Sequence, residues 1–137
     1  MSFLLDSNAI IAILNSKPPS VRNRWVAVSR TGAHVATSSI VFFELLCAAY
    51  KSSRPKENVA RLHTLLSSSL NVMPFELEDA DSAGQVRAIL EAKGQPIGPF
   101  DVLIARQALR RGLTLVTANV GEFRRLPGLA LENWQKT

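Results

Sequence analysis

The 137-residue sequence has one cysteine, two histidines and no block of like charges. Each shortage excludes something. A lone Cys47 cannot build a disulfide framework, so a reducing, cytoplasmic setting is expected, with Cys47 a small buried hydrophobe. The longest apolar run, residues 40–49 around Glu44, falls far short of the ~20 residues a membrane span needs. No basic region precedes the first apolar segment and Asp6 interrupts it, so no cleaved leader is expected. Repeats and low-complexity tracts are missing. So is a convincing side-chain nucleophile: His34 and His63 have no acid beside them and read as structural or solvent-facing. What is present is ordinary globular composition, 47% hydrophobic and 20% charged, with a net charge of +5 that suits a polyanionic partner without identifying one. The length predicts a single domain over 1–137.

Short apolar runs alternate with helical periodicities. Residues 3–5 read as a strand ending at Asp6, and Asp6, Ser7 and Asn8 offer capping oxygens to a helix over 9–15 that Pro18-Pro19 stop. There follow a helix over 21–29, a strand over 34–37, an apolar helix capped by Ser38-Ser39 and reaching 51, a helix over 56–70, and a strand over 71–74. Asp79 or Asp81 opens a helix through 92, which Gly94 ends. Residues 96–101 turn into a helix through 109, with Pro99 suited to its first turn and Gly112 at its end. A strand over 113–117 runs into Asn119, and 129–131 offers a short fifth strand. The alternation predicts an α/β fold with a parallel sheet covered by helices on both faces. In such sheets ligands bind beyond the carboxyl ends of the strands, where strand order reverses. If the first and fourth strands are neighbours, Asp6 and Asn119 meet there.

Three carboxylates stand out. Asp6 is the only charged residue in 1–16, Glu44 the only one in 38–50, and Asp101 the only one in 94–105. Burying an ionised carboxylate without a partner is very costly, and none of these stretches supplies a Lys or Arg. The economical solution is that the acids meet in the fold and share a divalent cation. Mg²⁺ or Mn²⁺ prefers such hard oxygen ligands and keeps several waters. A bound cation polarises a phosphodiester and lowers the pKa of water, so no side-chain nucleophile is needed.

The strings Leu5-Asp6-Ser7-Asn8, Ser38-Ser39-Ile40 with Glu44-Leu45, Gly94-Gln95-Pro96-Ile97-Gly98-Pro99-Phe100-Asp101 with Ile104-Ala105, and Leu115-Val116-Thr117-Ala118-Asn119 resemble the PIN-domain nucleases. The closing run 122–129 with Glu132-Asn133-Trp134 resembles the bacterial VapC toxins in particular. The resemblance spans nearly the whole chain. It implies a three-layer α/β/α sandwich whose parallel sheet of four or five strands has central order 3-2-1-4. It also implies Mg²⁺- or Mn²⁺-dependent endoribonuclease activity, neutralisation by a VapB-type antitoxin, and a homodimer that can enter a larger toxin–antitoxin complex. Asp6, Glu44 and Asp101 match the family's acidic positions. Asn119 matches a fourth position that is often Asp, so the site is one negative charge lighter. Lys17-Pro18 with Val21-Arg22, Lys51-Ser52, and Gly84-Gln85-Val86-Arg87 are similar to the branch that cuts initiator tRNA in the anticodon stem-loop.

Arg106 and Arg110, four apart on one helix face, and Arg124 and Arg125 after the fourth strand are the candidate RNA phosphate contacts. Phe100 reads as core, with stacking on a base as the alternative. Trp134 reads as packing against the body, and Trp25 as part of a dimer surface. A catalytically silent interaction module is the competing reading of the whole chain. Metal-dependent cutting of RNA separates the two.

Overall fold

The computed structural model describes residues 1–68 and 70–136. Five strands, β1 (Ser2–Leu5), β2 (His34–Ser38), β3 (Asn71–Met73), β4 (Thr114–Val116) and β5 (Leu131–Glu132), form one parallel sheet in the order β3-β2-β1-β4-β5. The helices are α1 (Ser7–Asn15), α2 (Pro19–Arg30), α3 (Ser39–Lys51), α4 (Pro55–Leu66), α5 (Leu77–Ala92), α6 (Pro99–Arg110) and α7 (Val120–Phe123). The crossovers β1–β2 and β2–β3 step one way along the sheet and β3–β4 steps back past β1. With right-handed connections, the intervening helices then lie on opposite faces. The central strand is therefore covered on both sides, and Phe3, Leu4 and Leu5 are all 2% exposed or less. Each such side chain contributes about 1.5–3 kcal/mol on burial.

Registers place the functional ends together. Leu5 of β1 pairs with Thr37 of β2 and Val116 of β4, so the chain leaves all three strands at one level. The reversal of strand order falls at β1/β4, as the resemblance implies. Asp6 is still tied to the sheet: its N–H donates to the Val116 carbonyl at 3.1 Å.

Several expected boundaries shift for local reasons. Pro19 begins α2 rather than only stopping α1, because a residue without an N–H is free at a helix's first position. The helix expected over 56–70 ends at Leu66, and position 69 lies outside the described residues. α5 starts at Leu77, not at Asp79 or Asp81. Glu76 is its N-cap, and Asp79 reaches back to the Glu76 N–H (2.8 Å) in a capping box. The fifth strand lies over Leu131–Glu132 rather than 129–131, and α7 was not foreseen. Three apolar residues are also misplaced by the sequence. Cys47 is exposed, on the outer side of α3. Trp25, expected on a surface, is only 8% exposed in the core, while Phe100, expected in the core, is 40% exposed. Trp134 does pack on the body, edge-on to Phe3 with ring centroids 5.5 Å apart.

Candidate active site

Asp6 follows β1 and serves as the N-cap of α1, its Oδ1 accepting the Ala9 N–H at 2.9 Å. It is almost fully buried. Burial pushes its carboxyl above the usual range, and the Glu44 charge adds to that. Hydrogen bonds from the Thr117 hydroxyl and the Ala9 and Asn8 N–H groups pull the other way. Glu44 lies in the second turn of α3 beyond its Ser38 cap, half-buried, and its Oε1 accepts a hydrogen bond from the Ser7 hydroxyl at 3.1 Å. The residue after Asp6 thus aims the acid of another helix.

Asp101 sits in the first turn of α6. Its carboxyl is pushed up to about 6, first by burial and then by the charges of Glu122, Glu44 and Asp6. Three acids separated by up to 95 positions therefore act in one electrostatic field, together with a fourth. Glu122, on the short α7, accepts the Gly98 N–H at 2.8 Å through Oε1 and the Asn119 side-chain amide at 2.5 Å through Oε2. Asn119 thus orients an acid. Gly98 is the hinge between Glu122 and Asp101. A Cβ there would stand 2.8 Å from the Asp101 Oδ2, so only glycine leaves the carboxylate its place.

Glu122 escaped the sequence reading because it lies in a charged stretch with Arg124 and Arg125, not alone among apolar residues. The signal available was its position three residues after Asn119, one helical turn on.

Among the described residues none of the four acids has an ion pair, whereas Asp79 has two arginines. No three His, Cys, Asp or Glu of the described residues are closed round a point as ligands. The acids converge on one mouth without forming a finished cage. Mutually repelling, hard-oxygen groups with no cation of their own fit a divalent ion that keeps part of its water shell.

The basic residues divide. Arg110 already has a partner: its Nε donates to the buried Asp79 Oδ1 at 2.6 Å, with Arg111 beside it at 3.0 Å from Oδ2. It also lies nine residues along α6 from Asp101, about 13 Å away along the axis. Burial raises the Asp79 carboxyl, but these arginines and the Glu76 N–H outweigh it and hold the group below the usual carboxylate range. Arg106 donates from Nε to the Ser82 hydroxyl at 2.9 Å, on α5. Arg125 donates to the Pro96 carbonyl at 3.2 Å, in the loop before Gly98, and Arg124 is exposed. Two apolar clefts, of about 260 Å³ between α1, α3 and α4 and about 390 Å³ between α1, α2 and α4, contain no carboxylate and lie apart from this chemistry.

Residues 3–129 match the family model described as the PIN domain. A relative from Salmonella typhimurium, the "tRNA(fMet)-specific endonuclease VapC", is 38% identical over 134 residues, covering 98% of each chain. "Ribonuclease VapC2" of Rickettsia felis is 38% identical over 136 residues, 99% of this chain and 100% of that one. The solved VapBC2 complex of Rickettsia felis, bound to a DNA fragment from its promoter, contains a chain that superposes with a TM-score of 0.89 at 36% identity, covering 98% of this chain and 99% of that one.

Proposed function

The chain belongs to the PIN-domain family, among its VapC ribonucleases, and from that premise we propose that Asp6, Glu44, Asp101 and Glu122 form the metal-binding centre of an endoribonuclease toxin. The observation that carries this is the Asp101 carboxyl, pushed up to about 6 by burial and by three acids from other parts of the chain, with no basic residue paired to any of them among those described. The substrate class is tRNA, and the partner that silences the activity is a VapB antitoxin, in line with the names of the relatives and their VapBC complexes.

A divalent cation, Mg²⁺ or Mn²⁺, would supply Lewis-acid polarisation of the phosphodiester, a more acidic water and neutralisation at the leaving oxygen. The chain's own residues prepare for it. Asp6 is fixed from the Ala9 N–H and the Thr117 hydroxyl, so a buried acid stays aimed at the mouth. Ser7 orients Glu44, and Asn119 with Gly98 orients Glu122. Asp101, half-exposed and raised, is the acid whose charge the site most needs to have neutralised.

Antitoxin-free protein incubated with total tRNA should cut it in Mg²⁺ or Mn²⁺ and stop on addition of EDTA. Absence of any cutting, with either metal and any RNA, would leave the silent interaction module as the better account.

A further inference from the structure

Three aromatic pairs occur among the described residues. Phe3–Trp134 and Phe42–His63 rest on rings seated in the core, with Phe3, Trp134 and Phe42 all below 9% exposure. The third differs. Phe43 and Phe100 have ring centroids 5.7 Å apart, tilted by 59°, yet Phe43 is 56% exposed and Phe100 40%. The two rings come from different helices, α3 and α6, and each immediately precedes an acid of the site, Glu44 and Asp101. The helical turns that present the carboxylates therefore also present the rings. Beyond Phe43 the surface opens into a cleft of about 460 Å³ against Phe42, Leu46, Tyr50 and Val72.

We propose that Phe43 and Phe100 form a stacking platform for an unpaired nucleobase of the RNA substrate, beside the scissile phosphate. The proposal rests on the endoribonuclease reading and adds which side chains of this chain would hold a splayed-out base beside the cut. The physical need is plain. A mouth of four carboxylates repels a phosphate backbone, so RNA must be held there partly by attraction that does not depend on charge. A base is neutral, sits beside carboxylates without repulsion, and gains about 1–3 kcal/mol on an aromatic face. A second copy of the chain is the competing occupant, because Phe43, Cys47 and Tyr50 follow one side of α3. Phe100, which comes from α6 and directly precedes Asp101 rather than lying on that side of α3, favours the base.

The test is Mg²⁺-dependent cleavage of an unstructured RNA oligonucleotide by wild type, F43A, F100A, the aromatic replacements F43W and F100Y, and Y50A. F43A and F100A should each raise KM about tenfold with a smaller effect on kcat, while F43W and F100Y hold near wild type. Y50A should leave KM unchanged. An abasic site next to the cut should raise KM for wild type to a similar extent, a readout that does not depend on any variant folding. Wild type that cuts but is indifferent to loss of both ring and base overturns the platform alone. So does a Y50A whose KM rises as much as that of F43A while light scattering shows a dimer falling apart, which would make this face a contact between copies. Wild type that cuts no RNA overturns the nuclease reading, and the platform with it.

Discussion

Asp101 carries the strongest single-residue expectation. Its ordinary value is 3.8 and the fold raises it to about 6, so the folded state favours the protonated form. The associated stability is greatest below the unfolded value and is lost as pH rises through about 6. Asp101→Asn should therefore stabilise the metal-free protein at neutral pH by about 1–2 kcal/mol, once screening of a half-exposed group is discounted, and the gain should vanish as pH falls towards 4. Thermal melts across that range check it. The same substitution should lower RNA cutting by about a hundredfold or more. Gly98→Ala tests the neighbouring geometry. Its Cβ would crowd the Asp101 carboxylate, and a displaced acid should reduce kcat/KM about ten- to hundredfold in steady-state assays while the melting temperature changes little. At this scale the sequence was legible where an acid stood alone among apolar neighbours, as Asp6, Glu44 and Asp101 do. Glu122 was hidden among charges, and its role depends on the Gly98 N–H that only folding brings to it.

At the scale of the element, α5 and α6 are locked by a polar clamp remote from the acids. Asp79 caps α5 from within and accepts from Arg110 and Arg111 at the far end of α6, and Glu76 accepts from Arg111 at 2.8 Å. Asp79→Ala should cost about 2–3 kcal/mol in urea unfolding, because it leaves the Arg110 Nε and the Glu76 N–H without their partner and takes one acceptor from Arg111. Activity per folded molecule should be kept, since the clamp lies at the opposite end of α6 from Asp101. Helix bodies were legible from apolar spacing and from Pro and Gly at their ends. The start of α5 was not, because an N3 aspartate that caps backwards looks in sequence like the cap itself. The partners of the α6 arginines were hidden for a related reason: four-residue spacing shows that Arg106 and Arg110 share a face, but not that the face reaches Ser82 and Asp79 of α5.

For the whole molecule, a divalent ion should stabilise the fold by linkage, by about 2.7 kcal/mol at a hundredfold excess over its dissociation constant. Titrating Mn²⁺ during thermal melts should raise the melting temperature at neutral pH, less so in acid where Asp101 holds its proton, and hardly at all in Asp101→Asn. An equal rise in that variant would place the ion elsewhere. RNA binding by a chain of net charge +5 should weaken as salt is added, yet retain a salt-insensitive part if aromatic stacking contributes.

By itself the sequence determined the α/β alternation, the apolar central strand and the three carboxylates that could not be buried singly, because these follow from local periodicity and from the cost of charge in a hydrophobic run. Tertiary structure decided the rest. The β1/β4 reversal brings Asp6, Thr117 and Asn119 to one level, α7 adds Glu122, Asp79 pairs with Arg110, and Phe43 meets Phe100 in the open. None of these is a local property: each depends on which surfaces face one another after the chain has crossed the sheet, and residue spacing along a single element does not contain that information.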